Sequence, residues 1–305
     1  MTAPNTAGLL DELDRLRRRT RIARRGHWLP LTAIGLLTLG AIPFYRPFDD
    51  SCTPDASGCA LPDRGTSFTV PGLGRVDPLG VFNAGNIFPL ANPLALGVYW
   101  VLALLAGLVL TVWWYRRRAV SAGLETSTGA YVKVTVGGLA VVLGIALAGG
   151  LLPDLRGFRV TDSGTEESVL KAALFLAVPV TLAILSERDL ARTRGFRAVV
   201  VVGFLVTSVL GATVVNKTGG LMLFAAGLLV LAWLERSRWC ALVALGYTGF
   251  TLLANASTMG TLFYALAWRP DGRLDVLFSA KDVLLPGCVA LVGGLVALAL
   301  SRLRR

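Results

Sequence analysis

Eight stretches without a formal charge divide this chain: residues 26–45, 78–115, 134–153, 172–186, 198–216, 218–234, 239–268 and 283–301. Crossing about 30 Å of hydrocarbon takes about 20 mostly apolar residues in a helix. Most of the stretches reach or approach that length. Backbone in lipid must satisfy its own N–H and C=O groups, so a span is a helix or a strand of a closed barrel. The stretches lack the alternating pattern of barrel strands. We therefore expect an all-α, polytopic transmembrane helix bundle of about eight spans, at 28–45, 94–115, 132–151, 169–186, 198–215, 219–234, 239–256 and 282–301. Seven spans is the alternative, if 198–234 does not form a complete hairpin. Composition agrees. Of 305 residues, 54% are hydrophobic and 16% charged, whereas a soluble domain carries about 25% charged residues.

The net charge of +11 is distributed unevenly. Arg15, Arg17, Arg18, Arg19, Arg21, Arg24 and Arg25 precede the first span. Arg116–Arg118 follow the second, Arg188, Arg192, Arg194 and Arg197 the fourth, Arg236 and Arg238 the sixth, and Arg302, Arg304 and Arg305 the last. The intervening loops are longer, poorer in arginine and richer in acids. This bias predicts an N-in/C-in orientation, with both termini cytoplasmic, in a bacterial plasma membrane. The inner arginines are suited to anionic lipid headgroups of the inner leaflet. No aromatic or folded basic module accompanies them, which argues against nucleic acid. No small-x-small cleavage site follows Trp28–Tyr45, so the first span is expected to stay as an anchor.

Residues 1–27 read as a cytoplasmic basic arm, and 28–305 as the transmembrane helical domain with outer loops 46–93, 152–168 and 257–281. In the arm, Leu9, Leu13 and Leu16 recur at helical spacing, and Asp11–Arg15 and Asp14–Arg18 are favourable i,i+4 pairs. Either a membrane-surface helix or a docking helix for a cytoplasmic protein fits this pattern. The first outer loop ends in the uncharged PLGVFNAGNIFPLANP, whose Pro and Asn residues suit an interfacial or re-entrant segment. The last contains TLFYALAW, expected as a short helix at the outer surface. Trp28, Tyr45, Trp113, Trp114, Tyr115, Tyr131 and Trp233 fall at span ends, where interfacial aromatics belong. Ala103–Gly107, Gly144–Ala148 and Gly293–Ala297 have the small-xxx-small spacing of close helix contacts.

Little in the chain points to chemistry. Cys52 and Cys59 are expected to form a disulfide in the first outer loop. Cys240 and Cys288 read as packing residues. His27 is the one histidine, which disfavours HExxH zinc proteases, rhomboid-like Ser/His pairs and two-histidine lipid phosphatases. No metal site and no cofactor is expected. Glu166–Glu167 followed by Lys171 departs from the EExxxR motif of CAAX-type intramembrane proteases in its Lys, and that family's later histidines are missing. Asn216 and Asn255, near outer span ends, are candidate ligand-binding residues, as are the outer acids Asp49, Asp50, Glu166 and Glu167. Catalytic residues are not assigned.

The stretch Gly227–Arg238, GLLVLAWLERSR, resembles one found in uncharacterised multi-pass membrane proteins of GC-rich bacteria. The resemblance implies no activity. The reading favoured by sequence is a non-enzymatic accessory, sensory or assembly subunit that works through a membrane or cytoplasmic protein partner. The alternative is a transporter or channel for a neutral or lipid-like substrate. The third is a membrane enzyme using outer-loop carboxylates.

Overall fold

A computed structural model of the chain describes residues 26–45, 68–70, 74–76, 92–121, 218–235, 237–256, 258–265, 277 and 279–303. The described residues are mainly helical. In chain order they form α1 (Trp28–Leu39), a 3-10 turn (Ile42–Phe44), β1 (Phe68–Val70), β2 (Gly74–Val76), α2 (Pro93–Ser121), α3 (Gly219–Glu235), α4 (Arg238–Asn255), α5 (Met259–Ala265) and α6 (Lys281–Leu303). The strands pair antiparallel, with Phe68 opposite Val76 and Val70 opposite Gly74. This two-stranded hairpin lies within the 46–93 loop, and the described residues otherwise fit the all-α expectation. The expected spans 132–151, 169–186 and 198–215, loop 152–168, residues 1–25 of the arm 1–27, and residues 78–91 of the expected interfacial or re-entrant segment lie outside the described residues.

Local chemistry sets the helix limits. The first apolar stretch does not run as one helix. Pro43 has no N–H to give and restricts the residue before it. The α-helix therefore ends near Leu39, and a 3-10 turn completes the stretch. At the start of α2, Pro93 occupies the first helical position, and the Asn92 side chain accepts from the Ala95 N–H at 3.1 Å. The helix then runs past its apolar part through Arg116–Arg118, because arginine propagates a helix well. Ser237 caps α4 by accepting from the Cys240 N–H.

The long helices close into a ring in which each packs on the next: α1 on α2, α2 on α3, α3 on α4, α4 on α6, and α6 back on α1. The α1–α6 contact is backbone-close. A Cβ on Gly35 would fall 2.5 Å from the Leu291 nitrogen, and one on Gly294 would fall 2.6 Å from the Thr32 nitrogen. Gly293 meets Val243 of α4, and its carbonyl accepts from Trp239 Nε1 at 3.0 Å. Gly293–Ala297 thus packs as its spacing predicts, and so does Ala103–Gly107, with Ala103 buried and Gly107 against Phe224.

Apolar side chains face outward as well as inward. Leu36, Leu102, Leu242 and Leu245 are each about 60% exposed (60, 59, 62 and 63%). Two helices among the described residues, Leu94–Arg118 and Lys281–Leu303, are long and apolar enough to cross a membrane.

Candidate functional site

The contacts between helices fix which helix ends meet. Trp114 Nε1, late in α2, donates to the Gly26 carbonyl before α1, while Tyr99, early in α2, donates to the Leu37 carbonyl. Thr218 bonds Asn255, and Tyr247 meets Thr38. One end of the ring therefore gathers Tyr45, Pro93, Thr218, Asn255 and Lys281. The other gathers His27, Arg116–Arg118, Glu235, Arg238 and Arg302.

At the first end lies a buried polar cluster. Lys281 and Asp282 open α6 at 4% and 7% exposure, and Ser279 just before them is fully buried. The Asp282 carboxylate is near enough to the Tyr45 hydroxyl for its charge to act there. Among the described residues the hydroxyls of Tyr45 and Ser279 meet no hydrogen-bond partner. Such groups are uncommon, since a buried donor without a partner forfeits its hydration. At the same end of the ring, the Thr218 hydroxyl donates to Asn255 Oδ1 at 3.0 Å, joining the start of α3 to the end of α4. Pro286 lies one turn into α6 and removes the N–H that would serve the Asp282 carbonyl.

Helix α5 roofs this cluster. Met259 and Phe263 pack with Ala254, Leu284 and Leu285. Gly260 faces Lys281: a Cβ there would lie 3.5 Å from Cε. The expected short helix in TLFYALAW is thus present, two residues upstream of that motif's start. It forms a packed lid over the ends of α4 and α6. Deeper in the ring, the Thr38 hydroxyl donates to the Ile34 carbonyl and so accepts from Tyr247, 3.1 Å away.

Of the residues singled out in sequence, Asn255 lies at this end of the ring, buried, where it makes an interhelical bond to Thr218. Asn216, Asp49, Asp50, Glu166 and Glu167 lie outside the described residues, as do Cys52 and Cys59 and the bridge expected between them. Cys240 and Cys288 are free thiols, and Cys240 is buried as a packing residue would be. In sequence Lys281 reads as the last charge of the outer loop 257–281 and Asp282 as the first residue of the final span 282–301. Their signal is the pairing of opposite charges with Pro286, inside a stretch that otherwise continues apolar. Among the described residues no group of three or more His, Cys, Asp or Glu side chains is placed to hold a metal ion.

The opposite end is built differently. The Arg117 guanidinium lies 5.4 Å from the Trp113 ring centre and that of Arg118 lies 5.5 Å from Trp114. Trp28 meets Trp114 edge-on at 5.3 Å. Arg118 packs across Gly26 beside His27. Burial, and then the Arg118 charge, hold the His27 imidazole below its ordinary value of 6.5. Tyr115 and Glu235 face each other nearby.

Comparison with family models, curated proteins and solved structures finds no match to this chain in any of the three.

Proposed function

We propose that this chain is a multi-pass protein of a bacterial plasma membrane, with both termini cytoplasmic and about eight spans. It works as a non-enzymatic accessory or sensory subunit through a protein partner. The observation that carries the reading is the course of α6. This helix starts in the buried outer cluster at Lys281–Asp282, packs along α1 and α4, and ends among the inner arginines at Arg302. An event at the outer cluster, such as a ligand or partner segment satisfying Tyr45 and Ser279, is mechanically joined to the cytoplasmic face. Ionisable groups buried at membrane depth are costly and mark function more often than packing.

The orientation is supported by the same sorting of charge. Arg116–Arg118, Arg238 and Arg302 share one end of the described ring, as the positive-inside rule requires of a cytoplasmic face.

A second reading is favoured by the Thr218–Asn255 pair: a transporter or channel for a neutral or lipid-like substrate, with its site between the outer ends of α3 and α4. One experiment separates the two. The full chain is isolated from its native membrane in mild detergent and also reconstituted alone in vesicles. A stoichiometric partner that stays bound to the Asn255→Ala variant supports the subunit. Solute flux through vesicles holding the chain alone, lost in Asn255→Ala, overturns it in favour of transport.

A further inference from the structure

The exposed face of α2 carries two chemistries in one line. Val98, Leu102, Val109 and Trp113 recur at helical spacing and are 41, 59, 56 and 47% exposed. The same face ends in Arg116 and Arg117, both exposed. Arg118 is turned inward onto Gly26 and Trp114, whereas Arg117 is held over the outward-facing Trp113 ring. From Leu102 to Trp113 the face runs about 16 Å at 1.5 Å per residue, roughly the depth of one leaflet's hydrocarbon.

We propose that this face is a defined binding site for one anionic phospholipid. Its phosphate sits between Arg116 and Arg117, and an acyl chain lies along Trp113, Val109 and Leu102. The inference deepens the membrane reading above and rests on it. Charge complementarity selects the headgroup, since a guanidinium presents paired donors that match phosphate geometry. Trp113 orients that guanidinium from below, and its indole occupies the headgroup boundary. The apolar line beneath distinguishes a lipid from free phosphate: a soluble anion has no use for Leu102 or Val109.

The test uses the full chain in mixed vesicles and in detergent. Retained lipid is counted by native mass spectrometry for phosphatidylglycerol against phosphatidylcholine. Each guanidinium near an anionic headgroup is expected to change retention about fivefold. The double variant Arg116→Gln/Arg117→Gln should therefore lose phosphatidylglycerol about thirtyfold. The charge-matched double variant Arg238→Gln/Arg302→Gln should lose far less. Equal losses from the two double variants would overturn the site in favour of diffuse surface attraction. So would displacement of the lipid by inorganic phosphate. A second measurement leaves the arginines intact. Brominated phosphatidylglycerol, as a minor component of phosphatidylcholine vesicles, should quench the emission that Trp113→Phe removes. Brominated phosphatidylcholine in the converse mixture should quench it less, and equal quenching would also overturn the site. A chain absent from the membrane fraction would defeat the membrane reading itself. A membrane-resident chain that holds both lipids alike defeats only this inference.

Discussion

The two ends of the helix ring place their lysine and arginine side chains differently. At one end a lysine and an aspartate are buried under a short helix, among hydroxyls, two of which meet no partner among the described residues. At the other, Arg116, Arg117, Arg238 and Arg302 stand exposed while Arg118 is half-buried, and Arg117 and Arg118 lie against tryptophan rings. A buried charge must be compensated by neighbours, whereas an exposed one is solvated by water and headgroups. The first arrangement is costly to disturb and suits recognition. The second is inexpensive to alter one residue at a time and suits orientation and lipid contact.

The largest expected effect is therefore at the buried end. Lys281 and Asp282 attract one another at the start of α6. Replacing Asp282 with Leu should destabilise the chain by about 3–5 kcal/mol, the usual result of leaving a buried charge without its counterpart. Arg302→Gln at the exposed end should cost no more than about 0.5 kcal/mol. Thermal unfolding of both variants in the same detergent gives the contrast. Equal shifts would mean that the two ends are not different in kind.

Next comes the contact that joins the ends. Gly35→Val forces a side chain against the Leu291 backbone, which cannot swing aside as a flexible side chain can. The expected cost is about 1–3 kcal/mol, read as a lower unfolding midpoint. Gly249→Ala is the control, because nothing lies within 4 Å of a Cβ there. A tolerated Gly35→Val would show that α1 and α6 are not tightly coupled.

A smaller effect is expected at Thr218. Its bond to Asn255 is one interhelical hydrogen bond, and such bonds contribute about 0.6 kcal/mol on average in membrane bundles. Thr218→Val keeps the shape and removes the donor. A loss several times larger would indicate that the pair belongs to a wider polar network around Asn255.

The helices were more legible than the site. Apolar length and arginine placement located α2, α3, α4 and α6 to within a few residues, because burial in an apolar medium leaves a continuous, uncharged signal. Ends set by side chains escaped it. Pro43 breaks the first stretch early, and Arg116–Arg118 lie within α2 rather than after it. The buried cluster was hidden for a different reason. Lys281 and Asp282 are loop-like in type, and only tertiary packing under α5 removes them from water. Asn255 was recognised because a single amide near a span end stands out against apolar neighbours. Its bond with Thr218 depended on how α3 and α4 meet, which periodicity does not encode.

The smallest expected effect belongs to the exposed end and follows from His27. Its imidazole is held below 6.5 first by burial and then by the Arg118 charge. Well above pH 6.5 the ring is neutral in folded and unfolded chains alike, so it contributes nothing to the pH dependence there. As the pH falls below that value, the unfolded chain takes up the proton first, and stability declines. The decline levels off once the folded chain is protonated too. His27→Asn should therefore flatten unfolding midpoints between neutral and mildly acid pH, while leaving the neutral midpoint little changed. Arg118→Gln should shrink the acid-side decline without abolishing it, because desolvation is the larger cause and remains. If wild type and His27→Asn lose stability in parallel on acidification, the sensitivity comes from carboxylates.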